Sequence, residues 1–310
     1  VVVRRGFLQS WLTPQSRYDR ATLFLDNTGS FLDFEFPEDI MRSAIGVWLD
    51  RKRAEIRWLS GRQLRIALGS SATHVLEIEW QTPASSFVPD GMLWESRDLP
   101  MPRLSSNVQI QRPLYWQVVL PQMHHLLAGP EEAIPYNEWK WQRAGWRRIP
   151  LVGDRELSQW AGADALQNNF PGDTDGGNIG INRYLFRLAE WPSRLSVLTI
   201  PRTLLVLVPA GIVLAAGVAC IYFPRLRRAE IAFVFAVGLL AVGLLYPEPA
   251  AMVVQMGLLG VILAVLAIFL RRVLLVRSPQ RYVLERTGGS SHHQRTTEFH
   301  YLEHAPQTTS

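Results

Sequence analysis

Cysteine is almost absent: Cys220 is the only one in the chain. No disulfide can form within it, so the fold must rest on an ordinary hydrophobic core and on helix packing. Lysine is nearly as scarce. Only Lys52 and Lys140 occur, so 30 of the 32 basic residues are arginine. Neither lysine follows a glycine, which excludes a Gly-x-x-x-x-Gly-Lys phosphate loop. A His-Glu-x-x-His zinc helix and a Gly-x-Ser-x-Gly nucleophile elbow are missing too. The arginines are interleaved with acids and form no strong basic block in residues 1–200, so a nucleic-acid partner is not expected. These absences leave no positive case for catalysis.

A further absence organises the chain. Between Pro201 and Arg272, the runs Leu204–Phe223, Ile231–Tyr246 and Ala250–Leu270 hold no Asp, Glu, Lys or Arg. At about 1.5 Å per residue, Leu204–Phe223 makes a helix roughly 30 Å long, the thickness of a hydrocarbon core. Ala250–Leu270 is as long. Ile231–Tyr246 is shorter and spans if Glu230 snorkels or the bilayer thins. Three transmembrane helices are expected. Small residues suit their packing: Gly211, Ala215, Ala216 and Cys220 on the first, Ala232, Ala236 and Gly243 on the second, Gly260 and Ala264 on the third. Gln255 is the one strongly polar side chain inside a span, and an interhelical hydrogen bond is its expected role. No ionisable residue lies at mid-membrane, which argues against a transport path in these helices.

Arginine sets the orientation. Arg225, Arg227 and Arg228 sit in the first loop, and Arg271, Arg272, Arg277, Arg281 and Arg286 follow the third helix. The second loop, Pro247-Glu248-Pro249, has none. Basic loops stay cytoplasmic. The expected placement is multi-pass in the cytoplasmic (inner) membrane, with residues 1–200 extracytoplasmic and the C-terminus inside. Residues 271–310 read as a basic stretch along the inner leaflet, then a polar tail. The chain begins Val1-Val2-Val3-Arg4-Arg5 with no apolar leader in residues 1–30, so an upstream region that directs export is expected.

Residues 1–200 read as mainly antiparallel β, sandwich-like, in two modules, 1–82 and 83–200. Ala21–Leu25, a turn at Asp26–Gly29 and Ser30–Phe36 suggest a hairpin. Leu32, Phe34 and Phe36 alternate with Asp33 and Glu35, so one face is buried and one wet. Ile45–Leu49, Glu55–Leu59, Leu64–Leu68 and His74–Trp80 follow at the spacing of sandwich strands. Residues 82–109 are rich in Pro and Ser and mark the expected boundary. Beyond them come a strand at Leu114–Leu120 and a hairpin of Asn137–Gln142 with Ala144–Ile149. A short helix at Asp154–Ala161, with Asp154 as N-cap, and apolar Tyr184–Leu198 complete the series.

Trp11-Leu12-Thr13, Trp58–Leu68, His74–Trp80 and Tyr115-Trp116-Gln117-Val118-Val119-Leu120-Pro121 carry a resemblance. So do Trp139, Trp141, Trp146 and Asn182-Arg183-Tyr184-Leu185-Phe186. Together, over most of residues 1–270, they resemble the C-terminal part of large uncharacterised bacterial membrane-anchored proteins of a planctomycete type, built from β-rich extracytoplasmic modules. The resemblance implies architecture and origin. It implies no activity, and no catalytic residue carries over.

The candidate sites are few. Asp173-Thr174-Asp175-Gly176-Gly177-Asn178 is similar to a calcium loop, but Tyr184 stands where a bidentate Glu is needed, so a glycine-rich turn is expected. His124-His125, with His292, His293, His300 and His304 in the tail, define no metal geometry. No metal or cofactor is expected. Trp139, Trp141 and Trp146 are the candidate ligand-binding residues, able to stack on sugar rings or a partner if exposed. Glu138 and Lys140 take the opposite face of their strand, so Trp139 and Trp141 are expected to face inward as core. The first function expected is that of a membrane-anchored extracytoplasmic structural or binding protein. The alternatives are a membrane-bound enzyme, with its site upstream or at the module junction, and a subunit of a larger envelope complex. The partners expected are the lipid bilayer and other membrane or envelope proteins.

Overall fold

The computed structural model describes residues 1–13, 16–26, 29–37, 40, 44–83, 95–111, 113–142, 145–163, 181–223, 228–245 and 247–276. Among them the first strands are β1 (Val2–Leu12), β2 (Ser16–Asp26), β3 (Phe31–Glu35), β4 (Ile45–Leu49), β5 (Lys52–Arg53) and β6 (Ile56–Trp58). Next come β7 (Gln63–Ala67), β8 (Thr73–Pro83), β9 (Glu95–Pro100), β10 (Arg103–Leu104), β11 (Gln109–Ile110) and β12 (Leu114–Pro121). Then follow β13 (His124–Ala128), β14 (Ala133–Pro135), β15 (Asn137–Gln142), β16 (Gly145–Pro150), helix α1 (Asp154–Trp160), β17 (Ile181–Leu188) and β18 (Arg194–Pro201). The chain continues as helices α2 (Arg202–Tyr222), α3 (Ala229–Leu245) and α4 (Pro247–Val276). Two compact units divide it, Val1–Ala264 and Val265–Ser310.

A mixed sheet runs through the first unit in the order β14-β17-β12-β1-β2-β8-β4-β5. Most neighbours are antiparallel, but β1 pairs in parallel with β12, Gly6 opposite Leu114 through Trp11 opposite Val119, and also with β11. Strands from both sides of residue 83 thus share one sheet. The Pro- and Ser-rich stretch expected to separate two modules supplies β9 to β18, β10 to β3 and β11 to β1. The expected hairpin across Asp26–Gly29 does not form. β2 pairs with β1 and β8, whereas β3 pairs with β7 and β10 in another sheet. Turn residues encourage a change of direction but do not choose which sheet the next strand joins.

The sheet β10-β3-β7-β6 and the sheet β13-β18-β9 share one core with the central sheet. Leu8, Leu23, Ile78 and Trp116 of the central sheet meet Leu32, Phe34, Leu64 and Ile66 of the first and Leu126, Leu195 and Val197 of the second. Edge-to-face contact of Phe36 with Trp80, centroids 6.0 Å apart, bridges two of the layers. In β3 and β7 the alternation holds as the sequence implies: Leu32, Phe34, Leu64 and Ile66 are buried, while Asp33 and Arg65 pair outside at 2.8 Å. The far face of the central sheet is covered in part by α1, with Phe7, Leu157, Ala161 and Leu185 as a second, smaller core. Gly153 precedes α1 as its cap, and Asp154 is already its first helical residue.

Of the apolar helices, two are long and apolar enough to cross a membrane, Arg202–Tyr222 and Ala250–Leu274; Phe233–Leu245 is shorter. α2 and α4 approach through small residues. A Cβ added at Gly260 would strike the carbonyl oxygen of Ala210, one at Gly257 would lie 3.5 Å from Val213, and one at Gly217 would lie 2.7 Å from Ala264. Gly260 also meets Val213, so Val213–Gly260 and Gly217–Ala264 rise together; the heads of both helices lie at the β-rich region, Arg202 bonded to Met123 and Met252 beside Arg148, and the two helices run parallel. Gly211, expected at such an interface, has no atom within 4 Å of an added Cβ. Gly260→Leu is therefore expected to force α2 and α4 apart at a cost of about 1–3 kcal/mol. Gly211→Leu should stay within about 0.5 kcal/mol. Unfolding of both variants in mixed detergent–SDS micelles, beside the parent, checks the pair.

Candidate functional site

The β-rich region meets the apolar helices at one corner. β18 passes straight into α2 at Pro201, and β13 runs alongside it, His124 opposite Pro201 and His125 opposite Ile200. The Arg202 N–H donates to the Met123 carbonyl at 2.7 Å, tying the head of α2 to the turn before β13. The hairpin β15–β16 reaches this corner from the other side. Its Trp146 N–H donates to Gln255 Oε1 of α4 at 3.0 Å. Gln255 thus bonds the hairpin, not a neighbouring helix as the sequence suggested.

Arg148 centres the corner. Its guanidinium donates to the Leu126 carbonyl, lies 3.6 Å from Met252 Sδ, and covers the rings of Tyr184 and Trp139 at 4.8 and 5.8 Å. His125 Nδ1 is 3.2 Å from Tyr184 Oη. Burial, aided by the charges of Arg202, Arg148, Arg147 and His124, pushes His125 down from 6.5 to about 4, so it is neutral at pH 7. Burial also raises the Tyr184 hydroxyl, against the pull of Arg148. The corner is therefore a cationic, aromatic cluster that shields a neutral imidazole.

The tryptophans do not share one fate. Trp139 and Trp141 project from one face, and Trp146 and Arg148 lie directly across from them in β16. Trp139 is half-buried under Arg148. Trp141 and Trp146 are 61% and 53% exposed and meet edge to face at 5.8 Å. The expectation that both Trp139 and Trp141 form core is thus overturned for Trp141. The charged residues Glu138 and Lys140 do take the other face and pair there. The inference from a wet face to a buried opposite face assumed a second layer. This hairpin is a two-stranded sheet with no third strand among the described residues.

Two clefts lie elsewhere. One of about 700 Å³ is rimmed by Asp98, Glu131, Glu132, Glu190 and Arg194; another of about 460 Å³ shares Ser193 and Arg194 and adds Glu35, Arg62 and Arg103. Their linings contain no histidine or cysteine, and the Arg194–Asp98 pair at 3.2 Å is solvent-exposed. Among the described residues no three His, Cys, Asp or Glu side chains converge as metal ligands. The Asp173–Asn178 loop and the tail histidines lie outside the described residues.

Polar groups that the sequence reading passed over are sunk into the central sheet. On its core face Asp19 accepts from Ser10 Oγ at 2.6 Å and lies 2.7 Å from Arg17 Nε. Ser10 accepts in turn from Trp116 Nε1 at 3.0 Å. On the far face Arg20 pairs with Glu77 and Glu79, and a chain runs from Gln9 to Gln117 to Asp154 to Arg183. Burial raises the Glu79 carboxyl, opposed by Arg20 and reinforced by the charge of Glu77. Each of these groups has a partner within the fold, which makes the set a structural network rather than an open acid–base site. The glutamates at alternate positions in β8, Glu77 and Glu79, with Arg20 paired opposite Glu79 in β2, were the signal available for it.

No protein-family model matches this sequence, and no curated protein does. Among solved structures it aligns with the M1 zinc metallopeptidase from Deinococcus radiodurans at TM-score 0.33 and 8% identity, over 64% of this chain and 42% of that one. It aligns with native leukotriene A4 hydrolase from Saccharomyces cerevisiae at TM-score 0.34 and 9% identity, over 64% of this chain and 28% of that one. The chain spans less than half the length of either. Likeness at this level carries no statement about activity.

Proposed function

We propose that the chain is a membrane-anchored extracytoplasmic structural or binding protein. Its β-rich region stands at the outer face of a bacterial cytoplasmic membrane, held by three spanning helices. The supporting observation is the parallel packing of α2 and α4 through Ala210, Gly217, Gly257, Gly260 and Ala264. Two parallel spans require the chain between them to return across the same thickness. α3 has 17 residues, about 25 Å of helix. That length fits the return if its ends reach the headgroups. The arginines of the first loop and the segment after Leu270 orient the bundle with the C-terminus inside. A second reading, a subunit of a larger envelope complex, is favoured by the open space beside Gly211, Gly238 and Gly243. Small residues on α2 and α3 leave room there for a helix of another chain.

Protease added to spheroplasts that express the full chain is expected to digest residues 1–200 and to spare an epitope fused after Ser310. Protection of residues 1–200 with loss of the epitope would overturn the orientation.

A further inference from the structure

The exposed tryptophan pair sits at a height that says what covers it. We propose that the tip of the β15–β16 hairpin, Trp141 with Trp146, is seated in the interfacial layer of the bilayer that α2 and α4 cross. The proposal rests on the spanning reading above and adds a second, peripheral contact with lipid.

The contact with Gln255 gives the height, measured along both spans. Trp146 N–H is bonded to Gln255 Oε1 at 3.0 Å, and a Cβ on Gly145 would strike the Gln255 amide. Gln255 is the sixth residue of the apolar span Ala250–Leu274, about 7.5 Å along its axis. The helix register gives the same level. Gly260 lies against Ala210 and Val213, and Ala264 against Gly217, so parallel running sets Gln255 near Val208, in the second turn of α2. The tip is therefore alongside the first turns of both spans, beyond their outer ends and short of mid-membrane. Amphipathic elements at an interface reach about 5–10 Å into this layer.

The chemistry fits that layer. An indole has a large apolar body and one N–H donor, and it partitions to the boundary where one side is apolar and the other wet. Trp141 and Trp146 form one continuous exposed pair, 5.8 Å between centroids. Their strands pair with no third strand among the described residues, and no described layer hides them. The charged residues Glu138, Lys140 and Arg147 occupy the hairpin's other face, which can stay in water. Arg202, the first residue of α2, stands just outside the tip's level, where lipid phosphates lie. Seated in this way, the hairpin would hold the β-rich region at a fixed height and tilt over the membrane, with Gln255 as the strut.

Depth-resolved quenching of the full chain tests this. The protein, with Cys220→Ser, is reconstituted in phosphatidylcholine–phosphatidylglycerol vesicles and carries one bimane-labelled cysteine at a time. The sites are Trp141→Cys and Trp146→Cys at the tip, Leu151→Cys just past the far end of the hairpin, and Leu207→Cys on α2. Leu151 and Leu207 are both exposed in the fold. Lipids brominated near the top of the acyl chain should quench both tip labels at least about twofold more than Leu151→Cys, and should quench Leu207→Cys as well. If the tip labels match Leu151→Cys and are open to aqueous iodide while Leu207→Cys is quenched by lipid, the spans stand and the proposal falls. Tip labels shielded from both quenchers would mean that a second protein chain covers them, which also overturns it. A Leu207→Cys label untouched by lipid would remove the spanning reading itself.

Discussion

Asp19→Ala is expected to lower the unfolding free energy of the β-rich region by about 3–5 kcal/mol, because it strands a buried cation. Arg17 has no solvent exposure at all, and Asp19 has none either. The guanidinium donates to the Pro100 carbonyl at 3.1 Å and lies 3.0 Å from Met101 Sδ, but its counter-charge is the Asp19 carboxylate 2.7 Å from Nε. Burial pushes the Asp19 carboxyl up from 3.8, while Arg17, Ser10 and Trp80 act to hold it ionised. Removing it also deprives the Ser10 hydroxyl of its acceptor, and Ser10 anchors the Trp116 indole. The loss thus spreads from one carboxylate through β2 and β1 to β12. At about 2–4 °C per kcal/mol for a region of this size, the melting midpoint of the full chain in detergent should fall by roughly 6–20 °C. A double variant, Arg17→Met with Asp19→Leu, removes both charges together and should recover most of the loss, since a buried pair replaced by apolar groups of like volume is often neutral. A midpoint within about 2 °C of the parent for Asp19→Ala would show that water reaches Arg17, and the network would lose its structural meaning.

The same residues show why part of the fold was readable from sequence and part was not. Leu32, Phe34, Leu64 and Ile66 alternate with polar neighbours, because their strands have one buried and one solvated face, and periodicity reports that directly. The strands of the β15–β16 hairpin are adjacent in sequence, so two neighbouring Trp-bearing stretches sufficed to place it. β1 did not stand out. Phe7 to Leu12 are all buried, since the strand lies between β12 and β2 with cover on both faces, and a strand of that kind loses its alternation. Its parallel partner lies more than a hundred residues away, and a parallel register leaves no turn between the partners to recognise. Glu77 and Glu79 alternate with Leu76, Ile78 and Trp80, the pattern of a strand with one solvated face. They are instead matched by Arg20 of β2, six strands earlier in the sequence, a long-range pairing that composition cannot show. Trp141 was misplaced for a related reason. Whether a strand face is core depends on what packs over it: at the base of this hairpin Arg148 packs on Tyr184 and Leu126, whereas no described strand covers Trp141 toward its tip.

Acid should loosen the corner where the β-rich region meets the helices, and His125 sets the range. Its ordinary value is 6.5, and in the fold it lies at about 4, first because it is buried and then because Arg202, Arg148, Arg147 and His124 face it. A histidine depressed in this way binds fewer protons folded than unfolded at every pH between the two values. Stability therefore rises with pH across that window. The contribution is fully present above about pH 6.5, falls as pH drops toward 4, and does not change further below it. The gap corresponds to about 3 kcal/mol at about 1.4 kcal/mol per pH unit. Protonation would add a cation beside Arg148, whose guanidinium already covers Tyr184, and would disturb the contact of His125 Nδ1 with Tyr184 Oη at 3.2 Å. Arg148 also touches Leu126 and Met252, so the strain falls on β13 and on the seat of α4. The Glu79 and Asp19 carboxyls, both raised by burial, bind protons more readily in the fold and oppose the trend. The difference between two proteins isolates the histidine. Between pH 7 and pH 4 the parent should lose about 3 kcal/mol more than His125→Asn, which cannot take up the proton. Unfolding by denaturant at half-unit pH steps, on full chains in the same detergent, measures both curves. Parallel curves would place His125 in contact with water and remove the neutral imidazole from the corner, whereas divergence that begins near pH 6.5 and closes off near 4 fixes it there.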